Sequence, residues 1–402
     1  MGGSSSGSTI RIFNPNDCRI FNSETSDHRI HIRPGERMSN KIILRLENIT
    51  KRFGSVIAVD NISFDVYRGE LFTLLGPSGC GKTTTLRIIA GLESPDAGKV
   101  YIDNVDVTEK PARERDVCLV FQEYAVFPHM SVFDNIAFGL KIRRLSKQDI
   151  KKKVMEVADL LELSDHLNTK GGRLGLSEQQ KVAIARCLVV EPKLLLLDEP
   201  LTLADARVRE RMRRELKKLQ KDLGITMIYV THDQLEALML SDRMAVMRSG
   251  KLIQLGSPEE IYDNPNELFI ATFVGSPTIN LLEGVLDIEK DQLILTTDAR
   301  KYVIGRHINT AIYQHLTGSE VILGFRPEDV KISLDGTIEG VIKFIEVAGD
   351  KKIVHVKIDD HEIRLLADLL DPFVEGQNVK ININMSKLHI FDKKTGRKIL
   401  KR

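Results

Sequence analysis

The 402-residue chain has no tryptophan, only four cysteines and no long apolar run. A membrane-spanning helix needs about 20 consecutive apolar residues, so the missing run excludes a helix of that kind. The cysteines are scattered and form no Cys-x-x-Cys pair, which argues against a disulfide framework and indicates a reducing compartment. Basic and acidic residues are nearly balanced, 58 against 56, so no net charge of one sign favours nucleic acid as a partner.

The remaining composition is that of a globular protein with more than one domain. A length of 402 residues predicts two or three domains, and a hydrophobic content of 42% is enough to form their cores. The first residues are rich in glycine and serine, a composition typical of flexible linkers. A second methionine, Met38, lies just before the first strand-like segment, 42–46. We therefore expect residues 1–37 to be a disordered leader or upstream extension, with the folded chain beginning near Met38.

A glycine-rich segment between a predicted strand and a predicted helix is the most informative feature of the sequence. Residues 71–75 are apolar and predict a buried strand, and residues 84–90 predict a helix that ends near Gly91. The segment between them fits the pattern G-x-x-x-x-G-K-[ST] without a mismatch and consists of Gly76, Pro77, Ser78, Gly79, Cys80, Gly81, Lys82 and Thr83. Such a turn directs backbone N–H groups, the lysine charge and a helix N-terminus at phosphate oxygens. The sequence predicts a nucleoside-triphosphate site, with the Thr83 hydroxyl as a ligand of Mg²⁺.

Two carboxylates follow a strongly apolar segment farther along the chain. Residues 194–197 are all leucine and predict a buried strand, and Asp198 and Glu199 come directly after it. Because the carboxyl ends of parallel strands share one edge of a sheet, we expect both acids to lie beside the phosphate loop. We predict that Asp198 holds Mg²⁺ and that Glu199 orients or deprotonates the attacking water. The alternative is an ordinary strand end capped by acidic residues.

Two further polar residues end apolar segments in the same way. Gln122 follows the strand-like segment 117–121, and His232 follows 228–231. A single glutamine or histidine in such a place is usually only a satisfied polar group. Their shared position at strand ends, where an α/β sheet collects its ligand, favours a role at the site. We predict that Gln122 contacts Mg²⁺ or the attacking water and that His232 donates to the γ-phosphate.

Two kinds of hydrophobic periodicity divide the chain. From about residue 41 to residue 275, helix-like segments such as 149–163 and 206–223 alternate with strands that are apolar on both faces. This pattern predicts a layered α/β domain. After about residue 279, apolar and polar residues alternate, for example over 353–358 and 379–386. A period of two predicts a second, β-rich domain, either a sandwich or a small barrel.

The order of these motifs resembles that of ATP-binding-cassette (ABC) transporter ATPases. The phosphate loop, 120–122, 197–200 and 230–233 follow one another as in that family, and 182–186 resembles the segment after its signature motif. The resemblance covers residue 41 to about residue 277. It implies a P-loop NTPase fold with a helical subdomain, ATP and Mg²⁺ as cofactors, and phosphate contacts that extend to Thr84.

The same resemblance places Phe53 where the family stacks an aromatic ring on adenine. The alternative for Phe53 is a buried aromatic residue in a β-hairpin. Which of the two holds depends on whether the ring is exposed.

The second domain resembles the regulatory extension of sugar-importer ATPases of the maltose and multiple-sugar class. Residues 274–280 and 324–329 carry this resemblance. It implies an OB-like barrel (a TOBE domain) that aids dimerisation and receives regulatory signals. We therefore divide the chain into the leader (1–37), an ABC ATP-binding domain (38–277) and a β-rich OB-like domain (278–402). Few aromatic residues and no basic cluster argue against nucleic-acid binding by the barrel.

The resemblance also implies a function and partners. The expected protein is an ATP-hydrolysing subunit that powers an importer, with carbohydrate as the substrate class and polyamine or iron as the alternatives. It would lie peripherally on the cytoplasmic side of the cell membrane and bind transmembrane permease subunits there. It would also form a homodimer or heterodimer around two ATP molecules. An extracytoplasmic solute-binding protein would be an indirect partner.

One segment departs from the family. The signature LSGGQ is expected just before residue 182, but residues 174–178 read Leu-Gly-Leu-Ser-Glu, and 201–205 keeps only Asp205 of the family's Ser-Asn-Leu-Asp. In the family the signature contacts the ATP of the partner subunit, and Leu176 would obstruct that approach. Two hypotheses follow. The chain is a working ATPase, or it binds ATP without completing a partner's site and acts structurally or in a heterodimer.

Overall fold

The computed structural model describes residues 41–290, 292–298, 300–306 and 313–399, so the expected leader and Met38 lie outside the described residues. The strands of the first part of the chain are β1 (Ile42–Phe53), β2 (Val56–Tyr67), β3 (Leu71–Leu75), β4 (Ala97–Ile102), β5 (Val105–Asp106), β6 (Val117–Val120), β7 (Leu194–Asp198), β8 (Met227–Thr231), β9 (Arg243–Arg248) and β10 (Lys251–Gly256). The helices are α1 (Lys82–Ala90), α2 (Val132–Ile142), α3 (Lys147–Leu160), α4 (Leu176–Leu188), α5 (Ala206–Leu223), α6 (Gln234–Leu240), α7 (Pro258–Asp263) and α8 (Leu268–Phe273).

A six-stranded sheet in the order β10-β9-β3-β8-β7-β6 forms the centre of this part. Its strands pair in parallel except for the antiparallel hairpin β9–β10. Successive leucines of β7 pack into opposite layers. Leu194 and Leu196 join a cluster with the antiparallel sheet β2-β1-β4-β5, whereas Leu195 and Leu197 join helices α2 to α4. Because strand side chains alternate between faces, a strand covered on both sides must be apolar throughout.

Several predicted elements agree with the observed ones. Strand β3 and helix α5 have the predicted bounds. Helix α1 begins two residues before the predicted start and ends at Ala90, followed by the C-cap Gly91, whose φ of 75° is left-handed. Helix α3 ends at Leu160 rather than at residue 163. The described helices do not combine the length and the hydropathy that crossing a membrane requires.

The prediction that the cysteines form no disulfide is wrong for one pair. Cys118 of β6 and Cys187 of α4 are bonded to each other, and both belong to the core between the sheet and helices α2 to α4. The bond closes a loop that contains this helical layer. Cys80 is a free, buried thiol.

The second part of the chain consists mainly of strands, as its alternating pattern predicts. They are β11 (Asn280–Glu289), β12 (Gln292–Thr296), β13 (Lys301–Arg306), β14 (Ser319–Phe325), β15 (Val330–Ile332), β16 (Ile338–Ala348), β17 (Lys351–Ile358), β18 (His361–Asp368), β19 (Asn378–Ile383) and β20 (His389–Asp392). Two antiparallel sheets, β13-β12-β11-β14-β20 and β15-β19-β16-β17-β18, enclose one apolar core. The fold class is therefore an α/β domain followed by a β-rich domain.

Two details of the second part differ from the simple alternation. His355 is buried although it lies on the polar register of β17, because its ring stacks on Phe344 and its Nδ1 lies 2.8 Å from Glu362 Oε1. Strand β19 ends at Ile383, before the end of the alternating segment, because the Asn384 N–H donates to Asp329 O instead of extending the ladder.

The two parts are joined by a buried arginine that follows β14. Arg326 is 2% exposed, and its guanidinium donates to Ala271 O, Val274 O and Tyr262 O at 3.1, 2.6 and 3.1 Å. Three carbonyl oxygens accept from its two terminal nitrogens, whereas its buried Nε has no hydrogen-bond partner among the described residues. Burial lowers the pKa of Arg326. These bonds hold the second part against α7 and α8.

Candidate active site

The phosphate loop connects the end of β3 to the start of α1. Gly81 caps α1 with a φ of 104°, and neither a side-chain cap nor an acidic residue occupies the first turn. The free N–H groups and the dipole of a helix N-terminus favour an anion there. A Cβ at Gly81 would lie 2.2 Å from Ala58 O, so packing alone requires glycine at this position. Gly79 has a φ of 77° and open space beside it, so here only the backbone conformation requires glycine.

Lys82 lies within the loop that it is predicted to serve. Its side chain is 4% exposed, and Nζ donates to Gly76 O and Pro77 O at 2.8 and 3.0 Å. An ammonium has three donors, and the third has only the weak acceptor Cys80 Sγ at 4.0 Å. The loop thus presents a cation that is incompletely satisfied, as a phosphate site requires.

Thr83 and Asp198 meet at the mouth of the loop. The Thr83 hydroxyl donates to Asp198 Oδ1 at 3.0 Å. Burial raises the pKa of Asp198, and the Thr83 hydrogen bond opposes this shift. A hydroxyl and a carboxylate oxygen fit Mg²⁺, which is usually held by one or two carboxylates together with substrate phosphates. The described residues contain no group of three or more His, Cys, Asp or Glu side chains that could hold a metal ion.

Glu199 and His232 form a pair beside these groups. The distance from His232 Nδ1 to Glu199 Oε2 is 2.9 Å, and the Thr202 hydroxyl lies 3.3 Å from the same oxygen. The Glu199 N–H donates to Val230 O at 3.0 Å, which ties the end of β7 to β8. A carboxylate in contact with an imidazole can accept a proton from water that the imidazole helps to place.

The other two predicted site residues lie around this centre. Gln122 is exposed two residues after the end of β6, which pairs with β7 in the register Val120↔Leu197. Phe53 ends β1 and is 49% exposed, so the alternative of a buried aromatic residue is wrong. Strand β2 continues from this hairpin and brings Ala58 against Gly81, which places the hairpin next to the phosphate loop. The structure thus joins Thr83 to Asp198 and Glu199 to His232 by direct contacts. Gln122 and Phe53 make no such contact with them and are placed only by strand register and by the β1–β2 hairpin.

Sequence reasoning missed a buried acid close to His232. Glu236 in α6 is 3% exposed and accepts hydrogen bonds from the Tyr229 and Thr231 hydroxyls. The available signal was the pair of hydroxyl groups within the otherwise apolar strand β8, because buried polar groups need partners.

The altered signature lies at the start of α4. Gly175 is the N-cap, Leu176 is the first helical residue and is 42% exposed, and Ser177 is buried. A Cβ at Gly175 would lie 2.6 Å from Glu178 Oε2, so this carboxylate lies close to the helix N-terminus. Gln180 Nε2 donates to Pro200 O at 3.3 Å, which links α4 to the segment after Glu199.

Comparisons with known proteins agree with this geometry. Models of three families match the chain: ABC transporter over residues 59–202, MalK OB fold domain over 275–330 and TOBE domain over 323–391. The trehalose/maltose import ATP-binding protein MalK of Thermococcus litoralis is 43% identical over 89% of this chain and 99% of its own. The spermidine/putrescine import ATP-binding protein PotA of Acetivibrio thermocellus is 40% identical over 89% of this chain and 98% of its own.

A solved structure, the ADP conformation of MJ1267, an ATP-binding cassette of an ABC transporter, superposes with a TM-score of 0.51 at 27% identity. It covers 56% of this chain and 96% of that one. Together with the relatives that match at nearly full length, these similarities show that the chain belongs to the ABC transporter family and is one of its ATPases.

Proposed function

We propose that this ATPase powers the import of a carbohydrate. The observation that carries the proposal is the 43% identity to a trehalose/maltose import subunit, which extends over 99% of that relative and therefore includes the second domain. The match to the MalK OB fold domain supports the same substrate class. Polyamine remains the alternative because a spermidine/putrescine import subunit is 40% identical. Iron remains a further alternative because the second domain also resembles the extensions of iron importers.

In this proposal the residues from Gly76 to Thr84 bind the ATP phosphates, with Lys82 as the cation that faces them. Thr83, Asp198 and Gln122 hold Mg²⁺, which neutralises phosphate charge during hydrolysis. The contact between Thr83 and Asp198 supports this assignment because it brings two oxygen ligands to the phosphate loop.

The same proposal gives the remaining site residues their roles. Glu199 takes a proton from the attacking water, and His232 contacts the γ-phosphate while it holds Glu199. The exposed ring of Phe53 stacks on adenine.

The proposed assembly follows from the import function of the relatives. Two ATPase subunits, identical or different, enclose two ATP molecules and bind permease subunits on the cytoplasmic side of the cell membrane. Residues 38–277 carry ATP hydrolysis, and residues 278–402 aid dimerisation and receive regulatory signals. A solute-binding protein outside the cytoplasm delivers the substrate to the permease.

A second candidate function is supported by the altered signature. Leu176 is 42% exposed at the start of α4, where the family has glycine, so its side chain obstructs the approach of a partner's ATP. In that case the chain binds ATP through its own loop and acts structurally or beside a normal partner. Steady-state ATPase measurements on the purified chain at high concentration separate the two functions.

Substrate class is tested by uptake in cells of the source organism. We compare the accumulation of radiolabelled carbohydrates, spermidine and Fe³⁺ between parental cells and cells that carry Glu199→Gln. We expect only carbohydrate uptake to fall. A selective loss of spermidine or Fe³⁺ uptake would assign the transporter to that class instead, and unchanged uptake of all three would refute the importer function.

A further inference from the structure

We propose that Glu236 is a positioning residue for His232. This inference rests on the proposed ATP hydrolysis and assigns a role to a residue outside the motif set. Glu236 lies in α6, four residues after His232, and is 3% exposed. A buried carboxylate is costly unless hydrogen bonds satisfy it, and two hydroxyl groups of β8 supply these bonds.

The Glu236 carboxylate contacts two hydroxyl groups of β8, the strand that precedes His232 in the sequence. Its Oε2 accepts from the Thr231 hydroxyl at 2.7 Å and from the Tyr229 hydroxyl at 2.8 Å. Since an ionised carboxylate can only accept, it orients the proton of the Thr231 hydroxyl toward itself. The lone pairs of Thr231 Oγ1 are then directed elsewhere, and the Asp233 N–H donates to this oxygen at 2.9 Å.

This chain of hydrogen bonds spans His232. Thr231 precedes the histidine and Asp233 follows it, so the bond from the Asp233 N–H to Thr231 Oγ1 links the two residues that flank His232. The Asp233 carboxylate caps α6 by accepting from the Leu235 and Glu236 N–H groups at 2.8 and 3.3 Å. The Glu236 side chain therefore holds Thr231, before His232, and the Glu236 backbone N–H holds the Asp233 carboxylate, after it. His232 itself lies 2.9 Å from Glu199.

Arg209 connects Asp233 to the segment that follows Glu199. Its guanidinium lies 3.5 Å from Asp233 Oδ2 and donates to Ala204 O at 3.1 Å. Burial raises the pKa of Glu236, and the hydrogen bonds from Thr231 and Tyr229 oppose that shift. The loop that carries His232 is thus held by the buried Glu236 carboxylate on one side and by the Arg209–Asp233 contact on the other.

The experiment uses the full chain and four single variants. Glu236→Gln keeps the shape but not the charge, Thr231→Val removes the hydroxyl, and Thr231→Ser restores it. Ser241→Ala is the matched control. Ser241 caps the C-terminal end of α6, far from His232 along the helix, and its hydroxyl donates to Thr73 Oγ1 at 2.6 Å. We measure kcat, KM for ATP, the melting temperature and the hydrogen-exchange rate of the Asp233 amide.

We expect Glu236→Gln and Thr231→Val each to lower kcat by roughly ten- to a hundred-fold with KM nearly unchanged, since small misplacements of catalytic groups cost this much. A double variant, Glu236→Gln with Thr231→Val, should have a kcat no lower than that of the slower single variant, because both changes act through the same contact. Thr231→Ser should recover the parental kcat. Ser241→Ala should lower the melting temperature without changing kcat.

Three results would overturn the proposal: a kcat of Glu236→Gln within twofold of the parent, equal kcat values for Thr231→Ser and Thr231→Val, or losses that multiply in the double variant. If the parent itself does not hydrolyse ATP, the proposed function fails. The hydrogen-exchange rate of the Asp233 amide then tests by itself whether Glu236 positions the loop. The Asp233 amide should then exchange at least tenfold faster in Glu236→Gln and Thr231→Val than in the parent. Equal exchange rates would refute it.

Discussion

His232 and Glu199 are 33 residues apart in the sequence, and their side chains meet with Nδ1 at 2.9 Å from Oε2. They meet because β7 and β8 are parallel neighbours, with Asp198 opposite Val230, so that both side chains follow strands that end at the same edge. The contact lies beside the Thr83–Asp198 pair and the phosphate loop. The central sheet therefore sets the relative positions of the three chain segments that carry these residues.

The first prediction concerns the phosphate loop. Lys82→Ala should weaken ATP binding by about ten- to a hundred-fold, because a hydrogen bond to a charged group contributes about 1.5–3 kcal/mol. Isothermal titration calorimetry with Mg-ATP measures the change. Lys218→Ala, at an exposed position of α5, is the control and should bind as the parent does. An unchanged affinity in a folded Lys82→Ala variant would refute the assignment of the loop.

The second prediction concerns Glu199. Glu199→Gln should retain ATP binding and lose roughly 10²–10⁴-fold in turnover, since an amide still bonds to water but does not accept its proton. If ATP-dependent dimers form, this variant should accumulate them on a sizing column. Glu210→Gln, on the exposed face of α5, is the matched control. Parental turnover in Glu199→Gln would exclude this residue as the base.

The third prediction concerns the altered signature. Changing Gly175, Leu176 and Ser177 together to Ser, Gly and Gly should raise the turnover of the homodimer at least tenfold, since each missing charged hydrogen bond costs about 1.5–3 kcal/mol. The Gly175→Ser change needs the Glu178 carboxylate to move, because a Cβ at this position would lie 2.6 Å from Oε2. Steady-state ATPase assays give the comparison.

The control for the restored signature is Leu334→Gly, which alters a leucine that is 100% exposed in the second domain and should leave turnover unchanged. A parental chain that already turns over several times per second, together with no gain in the restored chain, would show that the altered segment is competent.

The fourth prediction concerns the disulfide. Cys118 and Cys187 are separated by 69 residues, and cross-linking a loop of that length stabilises a fold by about 2–5 kcal/mol through the unfolded state. Reduction should lower the melting temperature of the parent but not that of a Cys118→Ser/Cys187→Ser variant. Mass spectrometry of the intact chain, with thiol alkylation, confirms the redox state. An equal melting temperature for both redox states would exclude a stabilising role for the bond.

The fifth prediction concerns the pH dependence of stability. Burial raises the pKa of Glu236 in the folded chain above its usual value of about 4.5. At a pH between the usual pKa and the raised pKa, the folded chain therefore binds more protons than the unfolded chain. Stability must then fall as pH rises through this window. We expect the melting temperature of Glu236→Gln, relative to the parent, to be higher at pH 8 than at pH 4.5. A difference that stays constant or moves in the opposite direction would contradict the shift.

The sequence by itself determined the elements whose causes are local. The phosphate loop was predictable because an apolar strand, a glycine turn and a helix start follow one another directly, and Gly91 ends that helix in a left-handed conformation. Strand β7 was predictable because a strand covered on both faces must be apolar throughout. The order of the motifs was enough to indicate the family, and the period-two alternation was enough to indicate a β-rich second domain.

Only the tertiary structure decided the contacts between distant segments. Thr83 and Asp198 are 115 residues apart, and Cys118 and Cys187 are 69 apart, so no local pattern could pair them. Glu236 lies in the first turn of α6, and packing places it against the hydroxyls of β8. Burial arises when whole layers pack, and the free energy of satisfying a buried polar group then selects partners that sequence spacing does not specify.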